Sequence, residues 1–182
     1  MHDIERFTTD RLLAERITDA HFRDLCRLWQ DPRVMTYTGG VRSDENIRER
    51  MRKSLGHWEA HGFGMWICRA RANAELVGNC GLRHIIVEGS SEVDVGYAVL
   101  FELWGRGFAT EMARAVLSLA FGPIELSDVN ALIDPANVAS RRVAEKSGLR
   151  YEREATLHGD SAALYRIRHI DTTKAGPSLR SG

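Results

Sequence analysis

A short run with two glycines, Trp-Gly-Arg-Gly-Phe-Ala at residues 104–109, constrains the fold of this chain more than any other segment. It lies between an apolar, strand-like run at 93–100 and an apolar run with helical spacing at 108–121. Glycine lets the backbone approach a ligand closely, and the first amides of a helix have no partner within the helix. Because aligned peptide dipoles place partial positive charge there, the run predicts a main-chain site for a phosphate or pyrophosphate.

Two other nucleotide-binding motifs fit this run less well. A dinucleotide fingerprint requires Gly-x-Gly-x-x-Gly, and Thr110 occupies the third glycine position. No Gly-Lys-Ser/Thr of a P-loop follows. From this segment alone, a glycine-rich turn that leads into an ordinary amphipathic helix stays an open alternative.

Composition narrows the class of protein. The 182 residues suit one domain, since domains usually contain about 100–200 residues. The 25 Lys and Arg residues balance the 25 Asp and Glu residues, so the net charge gives no reason to expect nucleic acid or a membrane surface as a partner. The sequence shows neither an apolar run long enough to span a bilayer nor a signal-peptide core, and we expect a cytoplasmic protein.

Hydrophobic periodicity predicts a strand, two helices, three strands, a helix, a strand, a helix and two strands. The predicted strands are 9–17, 63–70, 75–84, 93–100, 129–133, 150–155 and 163–169, and the predicted helices are 18–29, 43–60, 108–121 and 137–146. This order indicates a mixed α/β fold with a largely antiparallel front half. We expect a single domain over residues 1–170 and a disordered tail over 171–182.

Cysteine and histidine spacing gives no sign of a metal site. Cys26, Cys68 and Cys80 are odd in number and widely spaced, which indicates neither a disulfide framework nor a cysteine zinc site. His57 and His61 stand four residues apart on a predicted helix, a spacing that can chelate a metal, but the sequence shows no third ligand. We therefore expect no metal and a solvated helix face at the two histidines.

Residues 137–149 form a second motif. Asn137 suits a helix start, Ser140 the first turn and Gly148 the helix end, so a plain capped helix would explain them. The segment also resembles motif B of the GNAT superfamily, Asn-x-x-Ser-x-x-x-x-x-Lys-x-Gly-Phe, with Leu149 in place of Phe.

Residues 104–109 resemble motif A of the same superfamily of acetyl-CoA-dependent N-acetyltransferases, Gln/Arg-x-x-Gly-x-Gly/Ala. Trp104 stands where that pattern has Gln or Arg. A Trp followed by Gly-x-Gly-aromatic-Ala-Thr-Glu is similar to the branch that contains the ribosomal-protein N-acetyltransferases. Since a Trp side chain cannot make the side-chain hydrogen bond of a Gln or Arg, we expect the anion to be held mostly by main-chain groups.

The resemblance implies the GNAT fold, which is a three-layer arrangement of a mixed, mostly antiparallel sheet with helices on both faces. It also implies that motif A binds the pyrophosphate of coenzyme A, that the strand edge at 97–99 binds the pantetheine arm as a peptide adds to a sheet, and that Asn137 contacts the arm from the other side. Arg141 and Arg142 are candidates for the 3′-phosphate, although exposed arginines on a polar helix face explain each equally well. The coenzyme-binding residues implied are Tyr97, Val99, Trp104, Gly105, Arg106, Gly107, Ala109, Thr110, Asn137 and Arg142.

Acetyl transfer requires a neutral amine to attack the thioester carbonyl. A lysine-type amine with a pKa of about 10.4 is neutral about once in two thousand at pH 7, which costs about 4–5 kcal/mol, whereas an α-amine near 8 costs about 1.4 kcal/mol. Asp94, two residues before Gly96, stands where the ribosomal-protein branch often has Glu, so the resemblance makes it the first candidate for the base. Glu92 on the same strand face is the second candidate. The alternative that either carboxylate is simply solvated and takes no part in catalysis also stays open.

The proton donor to the leaving thiolate differs from that of many GNAT enzymes. Their Tyr, four residues before the motif B glycine, is Ala144 here. Ser140, as in the ribosomal-protein branch that the chain resembles, is the remaining candidate, and Tyr165 is a distant alternative.

These observations predict an acetyl-CoA-dependent N-acetyltransferase that acts by direct attack, without a covalent enzyme intermediate. The favoured acceptor is a peptide or protein α-amine. A small-molecule amine, such as an antibiotic or a polyamine, is the alternative, and a non-catalytic acyl-CoA-binding module is a third hypothesis. We expect no nucleic-acid or membrane partner, and both a monomer and a homodimer are compatible with the sequence.

Overall fold

The computed structural model describes residues 4–157 and 159–170, and in them the chain forms eight strands and five α-helices. The strands are β1 (Arg6–Thr8), β2 (Leu12–Arg16), β3 (Met65–Ala70), β4 (Leu76–Val87), β5 (Ser90–Val99), β6 (Asp128–Ile133), β7 (Arg150–Leu157) and β8 (Asp160–Arg168). The helices are α1 (Phe22–Trp29), α2 (Pro32–Met35), α3 (Asp44–His61), α4 (Phe108–Phe121) and α5 (Val138–Lys146). The tail predicted to be disordered, 171–182, lies outside the described residues. No described helix is long and apolar enough to cross a membrane.

All eight strands belong to one sheet, in the order β1-β2-β3-β4-β5-β6-β8-β7. Neighbouring strands are antiparallel except β5 and β6, which are parallel. A parallel pair requires a long crossover connection, and α4 lies within it. The mixed, mostly antiparallel sheet predicted from the element order and the resemblance is therefore confirmed.

Several predicted strand bounds were wrong, because a short polar turn interrupts the first predicted strand and two other strands extend to a tight turn. The predicted strand 9–17 is instead a hairpin of β1 and β2, in which the Thr9 amide donates to the Leu12 carbonyl at 2.9 Å and the Thr9 hydroxyl accepts from the Leu12 amide at 3.0 Å. β4 and β5 run further than predicted and meet at Glu88 and Gly89. Both residues have positive φ, +49° and +86°, as a tight turn of type I′ requires.

The helix boundaries follow local capping signals. Ser43 begins α3 as predicted, since its Oγ accepts from the Asn46 amide at 3.2 Å. Gly62, with φ of +72°, ends the same helix in the left-handed conformation that glycine tolerates best. Pro32 follows the end of α1 and begins the short helix α2, with Asp31 as its cap.

Burial along β4 shows that the centre of the sheet is covered on both faces. The residues from Leu76 to Leu82 are all buried, whereas a strand with one solvent-exposed face would alternate. On one face, the Trp66 ring of β3 lies 5.0 Å from the Trp58 ring of α3. The main cluster of buried apolar residues extends from Leu12 to Ile167 and includes residues of both α3 and α4.

The close pairing of β4 with β5 depends on glycine at position 78. A Cβ there would lie 2.0 Å from the carbonyl oxygen of Ala98 on β5. We expect Gly78→Ala to lower the free energy of unfolding by about 1–3 kcal/mol, because one of the two backbones must move. Chemical denaturation measures this change.

The matched control is Gly56→Ala in α3, where an added Cβ meets nothing within 4 Å. Since alanine favours a helix over glycine, this variant should be more stable than the wild type by up to about 1 kcal/mol. Equal stability of Gly78→Ala and the wild type would contradict the described packing of β4 on β5.

Candidate functional site

β5 and β6 touch at one point and then separate. Asp94 and Asn130 form the only pair of facing residues between these strands in the described part of the chain. β5 nevertheless continues to Val99 and β6 to Ile133, while the other edge of β5 stays paired with β4. A cleft therefore opens between residues 95–99 and 131–133, and we call it the β5–β6 cleft.

Main-chain groups of β5 point into the β5–β6 cleft. The Leu100 amide donates to the Val77 carbonyl at 2.9 Å, on the side of β4. Because hydrogen-bonded pairs alternate along an antiparallel ladder, the backbone polar groups of Tyr97 and Val99 point away from β4. The Val99 carbonyl accepts from the indole Nε1 of Trp104 at 2.8 Å, which confirms this orientation. The strand thus offers an edge to a bound chain at Tyr97.

The turn before α4 is open to solvent. Gly105 and Gly107 have φ values of +74° and +80°, a region that other residues adopt only with strain, and Gly107 is the residue from which α4 begins. A Cβ at Gly105 would meet nothing within 4 Å. Among the described residues, the amides of residues 105–110 find no acceptor. They are therefore available to an anion at the positive end of the helix dipole.

Arg11 and Glu111 join the β1–β2 turn to the start of α4. The Glu111 carboxylate accepts from the Thr9 hydroxyl at 2.5 Å, from the Arg11 amide at 3.1 Å and from Arg11 Nε at 2.7 Å. Arg11 Nη1 also donates to the Arg106 carbonyl at 2.9 Å, and its guanidinium lies 4.3 Å from the centre of the Phe108 ring. Arg11 therefore fixes the turn while its charge is paired with Glu111, and the exposed Arg106 places a positive charge beside the turn.

The helix of the second motif is tied to β5 across the β5–β6 cleft. Asn137 begins α5, and its Oδ1 accepts from the Ser140 amide at 3.1 Å. The Ser140 carbonyl accepts from the Tyr97 hydroxyl at 3.0 Å, and burial raises the pKa of Tyr97 well above its usual range. These contacts bring Tyr97 close to Asn137 and Ser140, so predicted site residues from two separate segments of the sequence lie together.

The two arginines of α5 have different surroundings. Arg141 Nε donates to the Tyr165 hydroxyl at 2.9 Å, so Arg141 is already engaged with β8. Arg142 is exposed and has no hydrogen-bond partner in the described portion of the chain. Of the two, Arg142 is the one that is free to bind a phosphate. Ala144, which stands where many GNAT enzymes have a Tyr, is buried.

Asp94 is buried at the point from which the β5–β6 cleft opens. Its side chain is 3% exposed; Oδ2 accepts from Arg83 Nη2 at 2.9 Å and Oδ1 from the Leu132 amide at 3.0 Å. Burial raises the pKa of Asp94 above its ordinary value, although Arg83 acts in the opposite direction. Asp94 therefore both links β5 to β6 and is easier to protonate than a solvated carboxylate.

Glu92 lies two residues away but is held by different groups. Its carboxylate accepts from Arg166 Nη1 at 2.8 Å and from Asn130 Nδ2 at 3.1 Å. Arg166 also donates to Asp128 and Glu152. Its hydrogen bond to Glu92 has the largest effect on its pKa, and together the three raise that pKa.

Sequence reasoning missed two residues that shape this region. Arg11 contacts the motif A turn and Arg83 contacts Asp94, and neither residue lies in a recognisable motif. Their partners lie on other elements of the fold, so local sequence carried no signal for them. The roles predicted for Asp94, Ser140 and the coenzyme-binding residues stay predictions.

Sequence comparison identifies related proteins. Residues 11–150 match the family model of the acetyltransferase (GNAT) domain. The Bacillus subtilis protein YkkB is 32% identical over 161 residues, which cover 88% of this chain and 94% of YkkB. The Bacillus subtilis N-acetyltransferase YoaA is 27% identical over 146 residues, which cover 79% of this chain and 82% of YoaA.

Solved structures share the fold. An acetyltransferase from Agrobacterium tumefaciens aligns with a TM-score of 0.81 and 24% identity, covering 92% of this chain and 96% of that one. A ribosomal-protein-S5-alanine acetyltransferase from Vibrio fischeri aligns with a TM-score of 0.74 and 16% identity. The alignment covers 91% of this chain and 97% of that one. The aminoglycoside acetyltransferase AAC(6′)-Ib in complex with coenzyme A aligns with a TM-score of 0.76 and 15% identity. The alignment covers 91% of this chain and 99% of that one.

The Glu111 carboxylate generates a pH-dependent prediction. Burial acts to raise its pKa, but hydrogen bonds from Thr9 and Arg11 outweigh burial and hold the pKa below its ordinary value. Such a group stabilises the fold above the unfolded-state pKa of about 4.3, and the contribution is lost as the pH falls through the folded-state pKa. We expect Glu111→Gln to lower the free energy of unfolding by about 1–2 kcal/mol at pH 7. That difference should shrink below about pH 4 in urea denaturation.

Glu154→Gln is the control, because it removes an exposed carboxylate on β7. This variant should match the wild type at every pH. A difference between Glu111→Gln and the wild type that does not change with pH would show that the ionised carboxylate does not stabilise the turn.

Proposed function

Since the chain belongs to the GNAT acetyltransferase family, we propose that it transfers acetyl from acetyl-CoA to the α-amine of a peptide or protein. The observation that carries the proposal is the open turn of motif A beside the β5–β6 cleft: amides without acceptors lie next to an unpaired strand edge. We further propose that residues 1–170 act as one acetyltransferase domain, in keeping with the buried cluster that extends from Leu12 to Ile167.

The pyrophosphate of coenzyme A would bind the main chain of the motif A turn. The amides concerned are those of Gly105, Gly107, Ala109 and Thr110. Arg106 would add charge from its exposed side chain. Trp104 would shape the turn rather than bind the anion, because its Nε1 already donates to the Val99 carbonyl.

The pantetheine arm would lie along the edge of β5 in the β5–β6 cleft. The Val99 carbonyl already accepts a hydrogen bond from Trp104 Nε1. The amide of Val99 and the main chain of Tyr97 are therefore the groups that would hold the arm. Asn137 uses its Oδ1 to cap α5, which leaves its Nδ2 to contact the arm from the other side. Arg142, the free arginine of α5, would bind the 3′-phosphate.

Asp94 is the base that the geometry favours. The amine nitrogen attacks the thioester carbonyl carbon, a C–N bond forms, the C–S bond breaks, and the amine proton leaves through water to Asp94. The raised pKa of Asp94 makes it a stronger acceptor than a solvated carboxylate. Glu92, which accepts hydrogen bonds from Arg166 and Asn130, is the second candidate for the base. Ser140, in the first turn of α5, would give its hydroxyl proton to the thiolate and regain one from water, to which Asp94 releases the proton that it accepted.

The α-amine is favoured because its deprotonation is less costly. A water-relayed carboxylate can supply the roughly 1.4 kcal/mol that an α-amine needs at pH 7, whereas a lysine-type amine needs about 4–5 kcal/mol. A fold relative from Vibrio fischeri is described as acting on a ribosomal-protein alanine, which is consistent with this choice.

A small-molecule amine is the second candidate, and a cavity of about 370 Å³ favours it. Glu92, Asp128, Ser91 and Ser127 line this cavity at the start of β5 and β6. Its size is that of a small-ligand pocket, and its hydroxyls and carboxylates suit a polar amine, although Arg166 also lines the cavity and already pairs with Glu92 and Asp128. Another fold relative is an aminoglycoside acetyltransferase.

An amine panel tests the choice of acceptor. With acetyl-CoA and the purified chain, thiol release should be faster with peptides that have a free N-terminal α-amine than with lysine side-chain amines, polyamines or aminoglycosides. Peptides with a blocked N-terminus and an internal lysine are the matched control. Preference for polyamines or aminoglycosides would favour the second candidate, and coenzyme binding without turnover of any amine would indicate a non-catalytic module.

The pH profile of kcat/KM tests Asp94. Because the base must be ionised, kcat/KM should fall as the pH drops through the pKa of Asp94, which burial raises above its ordinary value, in addition to the fall caused by protonation of the substrate amine. We expect Asp94→Asn to remove this acid limb and to lower kcat/KM by at least about a hundredfold. Glu92→Gln should keep the limb, and circular dichroism should show that both variants fold. An unchanged rate and profile in Asp94→Asn would exclude Asp94 as the base.

A further inference from the structure

Three histidines meet where α3 ends beside β4. They are His57 and His61 on α3 and His84 on β4, and we call them the histidine cluster. One ring nitrogen of each lies within 4.8 Å of those of the other two. His57 Nε2 is 3.1 Å from His84 Nδ1, and the His61 ring centre is 4.5 Å from that of His57 and 4.2 Å from that of His84. The fold therefore supplies His84 as the third potential ligand that the sequence did not show.

The orientation of His57 is fixed by a hydrogen bond to the main chain. Its Nδ1 lies 2.8 Å from the Phe63 carbonyl oxygen, and a carbonyl only accepts, so Nδ1 carries the proton. In the neutral ring, the Nε2 lone pair then faces His84. Metal-bound histidines commonly use one nitrogen as ligand while the other donates to a backbone carbonyl, and His57 has this arrangement.

Imidazole binds a metal in its neutral form. Burial lowers the pKa of His57, and it also lowers the pKa of His84, to which the neighbouring His61 contributes further. The charged forms of His57 and His84 are thereby disfavoured.

We propose that the histidine cluster binds one divalent first-row transition-metal ion, such as Zn²⁺. For Zn–N bonds of about 2.0–2.1 Å, two nitrogens on one tetrahedral ion lie about 3.3 Å apart, close to the 3.1 Å between His57 and His84. His61 and His84 are exposed, so small side-chain rotations can complete the site. Imidazole ligands select Zn²⁺, Cu²⁺ or Ni²⁺ over Mg²⁺ and Ca²⁺. Three protein ligands leave a coordination position for water or an external ligand.

One existing hydrogen bond competes with the ion. The His84 amide donates to His57 Nε2 at 3.0 Å, and a bound metal would take that lone pair. This amide lies beyond the last β3–β4 pair, Met65 with Gly81, on an open strand edge where water can replace His57. A hydrogen bond that water can replace is much weaker than metal coordination, so the ion should displace the His84 amide from His57 Nε2.

The bound ion would join the last turn of α3 to β4 and stabilise the folded state. Successive strand residues point to opposite faces of a sheet, so His84 lies on the face opposite Arg83, the partner of Asp94. The site is thus separate from the carboxylate proposed as base, and its presence does not depend on the proposed acetyl transfer.

Calorimetric titration of the untagged, chelator-treated chain with ZnCl₂ tests the proposal. We expect one ion per chain, a rise in the thermal midpoint with Zn²⁺ concentration, and no response to Mg²⁺. His61→Ala and His84→Ala should each weaken Zn²⁺ binding by at least about tenfold.

His169→Ala is the matched control, since it removes a histidine outside the cluster, and it should bind Zn²⁺ like the wild type. The metal-free His61→Ala variant should unfold close to the wild-type temperature, because His61 is exposed. Absence of stoichiometric Zn²⁺ binding by the wild type would overturn the proposal. So would wild-type Zn²⁺ affinity in both His61→Ala and His84→Ala.

Discussion

The separation of β5 from β6 is the constraint on which the rest of the structure depends. The two parallel strands pair only at Asp94 and Asn130 within the described chain, and beyond that point each strand has one edge without a strand partner. Asp94 holds them together by accepting from the Leu132 amide on β6 while Arg83 compensates its charge. Sheet edges ordinarily need a partner, so a cleft of this kind is suited to an extended ligand that completes the hydrogen bonding.

The elements around the β5–β6 cleft are fixed by contacts over long sequence distances. Tyr97 reaches from β5 to the Ser140 carbonyl on α5, and Arg11 reaches from the β1–β2 turn to the Arg106 carbonyl. These two contacts position the motif B helix and the motif A turn on the same cleft. Because Arg11 holds the turn by its carbonyl, the amides that begin α4 are left free for an anion. Preorganised main-chain donors of this kind need no rearrangement when a phosphate arrives.

Local signals made the helices and the two motifs predictable, whereas long-range partners could not be predicted. The bounds of α4 agree with the predicted 108–121, and Asn137 begins α5 as expected, because capping and apolar spacing act within a few residues. The pairing of Arg11 with Glu111 and the approach of His84 to α3 join residues that are far apart in the sequence, so no local pattern indicates them. The spacing of His57 and His61 therefore could not indicate the third potential ligand, His84, which only the fold brings close to them.

Calorimetry with coenzyme A and with pantetheine is the most direct test of the central claim that main-chain amides at the start of α4 hold a pyrophosphate. We expect saturable binding of one coenzyme A per chain and much weaker binding of pantetheine, which lacks the pyrophosphate. No measurable affinity for coenzyme A, or equal affinity for pantetheine, would contradict the claim.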